Sequence, residues 1–302
     1  MQTRTKKGGG TRPRQALAAW GFALPFLVLF LVFMVLPVIS SLGMSLTDLR
    51  SVDLRNPFSV DFVGGANYAQ LLEDRQFRQA VLNTLYFVVV GVPLTIGLAL
   101  AAAVGLNAGI HKVWRTFFRV GYYLPVVTSI VAVAVVWRFL LDDQRGLVNN
   151  LLAAVGVNAP DWLNNTTWAM PALILMGAWR NLGFLMVIFL AGLQGIPTQL
   201  YEAAKIDGAT AWERFRFITV PMLRPTLLFG SVITGIGYLQ VFEEPFVMTQ
   251  GGPLDRTLTV SLHIYNQFGF GNYSYAAAMG YVLFVAIVVL TTIQFRLLRP
   301  QT

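Results

Sequence analysis

The sequence predicts an all-α membrane protein with six transmembrane helices, and three observations carry that expectation. Of the 302 residues 56% are hydrophobic and only 12% charged, against about 25% charged in soluble domains. Mean hydropathy is +0.62. Apolar runs near the roughly 20 residues needed to cross a bilayer recur along the chain. They are read as helices because an open sheet leaves backbone groups unpaired in lipid.

Taken in order, residues 1–14 form a basic tail with Arg4, Lys6, Lys7, Arg12 and Arg14, ahead of a single transmembrane domain over 15–302. The run from Gln15 to Thr47 is uncharged. It is much longer than the roughly 7–15-residue apolar core of a signal peptide, so it is read as a retained first span. The six spans are placed at Ala16–Leu46, Val81–Leu106, Val120–Leu141, Met170–Gln194, Thr226–Phe242 and Ala276–Phe295. Pro25 and Pro37 are candidate kinks in the first. A polar connection, Asp48 to Gln79, separates the first two spans. Turn-forming residues crowd Leu141–Thr167, and Thr249-Gln250-Gly251-Gly252-Pro253 makes a turn after the fifth.

The charge is +8. In a soluble chain that would suggest nucleic acid, but here the basic residues cluster in loops and at the N-terminus. With a cytoplasmic N-terminus, fourteen of the 22 Lys and Arg fall on that side and eight on the other or within spans. This division satisfies the positive-inside rule. Both ends, and the polar insert between the fourth and fifth spans, are therefore expected in the cytoplasm. Lys112, Arg115 and Arg119, interleaved with Trp114, Phe117 and Phe118, read as an interfacial segment that anchors its loop to lipid headgroups.

Several chemistries are missing. No Gly-x-x-x-x-Gly-Lys-Ser/Thr loop occurs, so the chain holds no P-loop for ATP. His111 and His263 are isolated in sequence and there is no cysteine, which leaves no metal-ligand spacing. Asp142-Asp143 reads as a solvated cap near a span end. No enzyme, catalytic residue or bound cofactor is expected.

Polar residues inside the membrane are more informative, since a charge at the bilayer centre costs roughly 2.5–3.5 kcal/mol on insertion scales. Arg180 and Asn181 lie within the fourth span; Gln240, Glu243 and Glu244 end the fifth. They should face water, a partner subunit or one another. Carboxylates and amides bind sugar hydroxyls, and Tyr238 and Phe242 offer flat apolar faces. The group is either a substrate path, or an outer gate or structural pairing with Arg180. Gly230, Gly235 and Gly237 mark close helix packing or a hinge.

The insert at 197–225 is the most distinctive stretch. Pro197 and Thr198 open a helix that Asp207-Gly208 ends, glycine supplying the left-handed turn. Thr210-Ala211-Trp212-Glu213 reads as a capping box for a second helix. Ala211, Phe215, Ile218 and Met222 share one face of it, and Pro221 and Pro225 close it. Ala203 and Ala204 keep the first helix thin enough for another backbone to approach.

Glu202-Ala203-Ala204, Asp207-Gly208-Ala209 and the trailing Pro221 and Pro225 resemble the coupling elbow of type I ABC importer permeases. The resemblance covers most of the chain, through the segment Phe62 to Tyr68, Asn83-Thr84, Trp179-Arg180-x-x-Gly183-Phe184 and Gly251-Gly252-Pro253. It points to the carbohydrate-uptake branch, with maltose and glycerol-phosphate permeases, although the maltose permease's extra N-terminal spans and large insert are absent. The resemblance implies a bacterial inner-membrane location, a second homologous permease subunit and two ABC ATPase copies that bind ATP and Mg. It also implies an extracytoplasmic solute-binding protein. Glu202, Ala203, Ala204, Asp207, Gly208, Ala209, Phe215 and Pro221 would contact the ATPase. Glu243 and Glu244 favour a neutral sugar over glycerol phosphate or a related polyol phosphate. The rival reading is a secondary transporter or channel acting alone, with Glu243, Glu244 or Arg180 as ion-coupling groups.

Overall fold

A computed structural model describes residues 13–56, 60–108 and 111–298. Most of the expected basic tail, residues 1–12, lies outside them. The described chain is helical, with one isolated bridge between Thr47 and Phe62. Four helices are long and apolar enough to cross a membrane, and two bent pairs raise the number to six if each pair is one span.

The first span is a continuous rod made of α1 (Pro13–Phe30), a π turn (Leu31–Val35) and α2 (Leu36–Ser45). Pro37 has no amide to return to the preceding turn. The wider turn just before it, closed by Leu36 N–H to Leu31 O, takes up that defect. No residue of the rod's most apolar stretch is buried within the chain. After α3 (Ala66–Glu73), α4 (Arg75–Asn107) runs 33 residues, about 50 Å at 1.5 Å per residue. That exceeds the roughly 30 Å hydrocarbon thickness, so α4 projects beyond it. Asp74 caps α4 by accepting from the Gln76 and Phe77 amides.

The expected third span, Val120–Leu141, is not one helix. It is α5 (Lys112–Val127) and α6 (Ile130–Leu140), meeting at 103°. Pro125 removes an amide near the break, and Thr128 Oγ1 donates to the Pro125 carbonyl, closing the chain into a corner. The basic segment read as interfacial is the first half of α5. After α7 (Leu147–Ala154), α8 (Ala169–Gln194) is the most enclosed span and makes the largest contact in the chain, with α4.

The insert folds as α9 (Thr198–Ile206), α10 (Ala211–Arg214), a π turn (Phe215–Thr219) and α11 (Val220–Met222). α12 (Arg224–Leu239) leaves it at 67°. α12 begins two residues before and ends three before the expected fifth span, Thr226–Phe242. Pro225 opens it rather than closing the elbow. α13 (Glu243–Met248), α14 (Val260–Gly269) and α15 (Tyr273–Leu298) complete the chain.

Three apolar clusters hold these elements. Phe87, Leu173, Met176, Tyr238 and Val241 join α4, α8 and the α12–α13 break. Ala99, Leu106, Leu185, Phe189 and Leu223 tie the far ends of α4 and α8 to the insert. Leu71, Phe77, Leu258, Leu262 and Met279 bind α3, α14 and α15 around the start of α4.

Candidate functional site

Two regions bring the sequence-selected residues together. In the insert, Gly208 has φ +81°, a backbone region where side chains with a Cβ are strained. The Ala209 amide donates to Ala204 O at 2.8 Å and the Gly208 amide to Lys205 O at 3.1 Å. This paired pattern is a Schellman close, and it satisfies carbonyls that the helix end would otherwise leave bare. The capping box is present: Thr210 N–H donates to Glu213 Oε2 at 2.6 Å, and Glu213 N–H to Thr210 Oγ1 at 3.3 Å. Tyr201 and Thr219 hydroxyls, 2.9 Å apart, clip α9 to the second arm.

Glu202, Ala203, Asp207 and Gly208 are exposed, with Ala204, Ala209, Phe215 and Pro221 half-buried. Ile206, Trp212 and Phe217 project beside them into solvent, which leaves an apolar surface on a polar elbow. Of the expected stripe of Ala211, Phe215, Ile218 and Met222, Phe215 and Ile218 stay half-buried, and the far end is displaced by one residue. Thr219 and Leu223 are the buried positions, and Met222 is 47% exposed. The π turn carries one residue more than an α turn, and that residue moves the stripe. A pocket of about 410 Å³ between the elbow and the ends of α4 and α8 is lined by Asn107, Tyr201, Lys205, Arg214 and Phe215, among others.

The second region is a cavity of about 340 Å³ at the α12–α13 break. Arg180, Asn181, Tyr238, Gln240, Glu243 and Glu244 all line it, as do Thr234 and Gly237. Interrupting the helix at Gln240–Phe242 turns Glu243 and Glu244 back toward α8, so residues on separate spans converge. Tyr238 is locked from several sides: its hydroxyl is 2.7 Å from Thr95 Oγ1, and its ring meets Phe87 edge-on with centroids 4.9 Å apart. A Cβ on Gly177 would stand 3.7 Å from both the Tyr238 hydroxyl and Glu244 Oε1. Gly177 therefore leaves the space in which these two polar groups meet.

One expectation about this region fails, and one of the alternatives is not seen. Phe242 does not line the cavity; its ring packs with Phe246 and Tyr265, 5.1 and 5.2 Å away. The break in the helix turns it away from Glu243. Nor does Arg180 form an ion pair with either glutamate among the described residues, and its buried Nε has no hydrogen-bond partner. Gly230 and Gly235 are packing positions, against Phe189 and Gln294, whereas Gly237 faces open space.

Other motif residues have structural roles that sequence reading left unassigned. Asn67 Nδ2 donates to Ser45 O and Thr47 O, closing the end of α2. Asn83 Nδ2 donates to Asp255 O at 2.6 Å and Leu258 O at 2.8 Å. Thr84 Oγ1 accepts from Val260 N–H at 3.0 Å. Together Asn83 and Thr84 staple α4 to the loop that contains Gly251-Gly252-Pro253. Trp179 packs on Trp137 at 5.6 Å. Gly183 admits the backbone of Tyr122, and a Cβ there would overlap the Tyr122 carbonyl.

His263, isolated in sequence, lies 3.6 Å from Asp74 Oδ2, which also accepts from the Tyr275 hydroxyl at 2.7 Å. Burial lowers the His263 pKa against the opposing pull of Asp74 and Asp255. Burial works to raise that of Asp74, but Tyr275, the Phe77 and Gln76 amides and His263 together hold it below its usual value. The pair at neutral pH is thus a carboxylate beside a neutral imidazole.

A family model described as binding-protein-dependent transport system inner membrane component matches residues 74–302. A lactose transport system permease protein, LacF of Rhizobium radiobacter, is 41% identical over 290 residues, covering 93% of this chain and 94% of its own. A trehalose/maltose transport system permease protein, MalF of Thermococcus litoralis, is 33% identical over 285 residues, 94% of each chain. A crystal structure of a bacterial alginate ABC transporter, in complex with alginate pentasaccharide-bound periplasmic protein, matches with TM-score 0.78. The identity is 27%, over 96% of this chain and 97% of that one.

Proposed function

This chain belongs to the family of binding-protein-dependent transport system inner membrane components, and from that premise we propose how it works. It is the permease component of an ABC importer for a sugar or oligosaccharide, a transport subunit rather than an enzyme. The single observation that supports the mechanism best is continuity from elbow to cavity. The elbow's second arm ends at Met222, Leu223 is buried beneath it, and α12 runs from Arg224 to the break that the cavity surrounds.

In this reading the chain crosses the inner membrane six times, α5–α6 counting as one broken span and α12 as the fifth. Residues 15–302 form one permease domain, with both ends and the elbow in the cytoplasm. The elbow seats in a separate ATPase subunit, which holds ATP and Mg. Exposed Glu202, Ala203, Asp207 and Gly208, with Ala204, Ala209, Phe215 and Pro221 behind them, make that contact. A second homologous permease completes the path, a second ATPase copy serves it, and an extracytoplasmic binding protein delivers the sugar. A coupled change requires contacts that differ between states. The elbow supplies contacts a motor can alter, and α12 carries their displacement to Glu243, Glu244 and Gln240. Arg180, Asn181 and Tyr238 are the opposing wall of the substrate path. The two glutamates favour a neutral sugar.

The test is reconstitution. Purified with its partners, the protein should accumulate sugar in liposomes only when ATP and the loaded binding protein are supplied. Uptake by this chain alone under an ion gradient would overturn the proposal. Titrating the binding protein against a panel of sugars and sugar phosphates decides the substrate class; tight binding of a phosphate ester and of no sugar would reject the neutral-sugar assignment.

A further inference from the structure

We propose that Arg115 and Arg119 on α5 form a binding site for the headgroup of an anionic phospholipid. The two arginines are four residues apart and share one helix face, a turn from each other. Both are half-buried, and the Nε of each is buried without a hydrogen-bond partner. Neither takes part in an ion pair among the described residues, and residues 75–141 contain no Asp or Glu at all. Two guanidinium groups on one helix face without a paired anion repel each other, and a phosphate fits the fork geometry of each.

The surroundings select a lipid as the source of that phosphate. Trp114, Phe117, Phe118 and Tyr122 form a run of contacting rings on the same helix, with successive centroids 5.9, 5.7 and 6.3 Å apart. Trp114 and Phe117 are 57% and 63% exposed. Amphipathic rings beside basic residues are what a membrane interface accommodates. The helix is also held at a fixed position against the core, because Gly183 of α8 receives the backbone of Tyr122. A headgroup bound at Arg115 and Arg119 therefore meets a rigid surface and not a loose loop. The start of α5 follows soon after Asn107, which lines the pocket under the elbow, so this site lies on the elbow's side of the membrane.

The experiment reads binding directly and does not depend on what the chain transports. The purified protein, with whatever chains accompany it, is placed in bilayers of phosphatidylcholine with a minor fraction of brominated lipid. Quenching of Trp114 is measured, and a Trp114→Phe version supplies the background from the other tryptophans. Brominated phosphatidylglycerol should quench at a much lower mole fraction than brominated phosphatidylcholine, and added salt should narrow the difference. Arg115→Gln and Arg119→Gln should each reduce the preference roughly fivefold. The comparison of the two lipids needs neither arginine variant to fold. Equal quenching by both lipids would overturn the proposal. So would release of phosphatidylglycerol by millimolar inorganic phosphate, which would make this a soluble-phosphate site. Loss of partner chains from the double variant with unchanged lipid preference would assign the arginines to a protein contact and reject the lipid.

Discussion

The Tyr238 hydroxyl stands 2.7 Å from Thr95 Oγ1, which in turn donates to the Gly91 carbonyl at 2.7 Å. The Tyr238 ring lies so close over Gly91 that a Cβ there would stand 2.9 Å from it. The penultimate residue of α12, just ahead of the α12–α13 break, is thus fastened to α4 by one hydroxyl and one missing side chain. Tyr238→Phe should cost about 0.5–1.5 kcal/mol, the usual worth of one hydrogen bond. Gly91→Ala should cost about 1–3 kcal/mol through overpacking. Thermal unfolding of the purified protein checks both, with Gly91→Ala expected to be the more damaging.

Gly208 has open space around its Cβ position, so its requirement is conformational and not steric. Gly208→Val should eliminate ATP-driven uptake while the chain remains in the membrane at normal abundance. Transport assays beside quantitative blotting of membranes separate the two effects, and normal uptake would reject the elbow as the coupling lever.

Gly183 has the opposite requirement. Its φ is unexceptional, but the Tyr122 backbone occupies the space where a side chain would go. Gly183→Leu should push α5 off α8 and lower stability by about 3 kcal/mol or more. Increased proteolysis or hydrogen exchange confined to residues 112–127 would be the local signature.

Asn83→Ala removes both donors that hold the loop after α13, where Asp255 has φ +59°. The Asp255 carbonyl keeps the Leu258 amide as a donor, whereas the buried Leu258 carbonyl loses the Asn83 bond, and the substitution should cost about 1–3 kcal/mol. Hydrogen exchange should rise at residues 251–259 before it rises elsewhere.

The Asp74–His263 pair predicts a pH effect whose sign follows from linkage. The folded state lowers the His263 pKa from its ordinary 6.5, so below that value the unfolded chain binds more protons than the folded one. Stability is then full above about pH 6.5 and falls as the pH drops toward the folded-state value. Thermal midpoints measured between about pH 7.5 and about pH 5 should decline, and His263→Gln should flatten the decline.

Much of the architecture was legible because lipid imposes simple demands: apolar length located α4, α8 and α15 within a few residues at most ends. The elbow was legible because Gly208, Thr210 and Glu213 act through their immediate neighbours. Breaks were less visible. Val120–Leu141 is mostly apolar, with Arg138 its one charge, and a hydropathy pattern registers neither the corner at Thr128 nor the π turn at Phe215–Thr219. The cavity was half legible: charges in a span must converge on something, which selected Arg180, Glu243 and Glu244. Which way Phe242 turns depends on where the helix stops. Contacts between residues far apart in sequence, such as His263 with Asp74 or Asn83 with Leu258, left no local signal.

The π turn in the elbow's second arm has a geometric corollary. One surplus residue in a helix amounts to a wound rotation of roughly 100°. Should Phe215–Thr219 relax to ordinary winding, Leu223 and everything downstream would have to turn about the helix axis by that angle or the surplus residue would have to migrate. A structure that keeps the coil wound beside the proposed motor contact would have a screw at its disposal as well as the proposed lever.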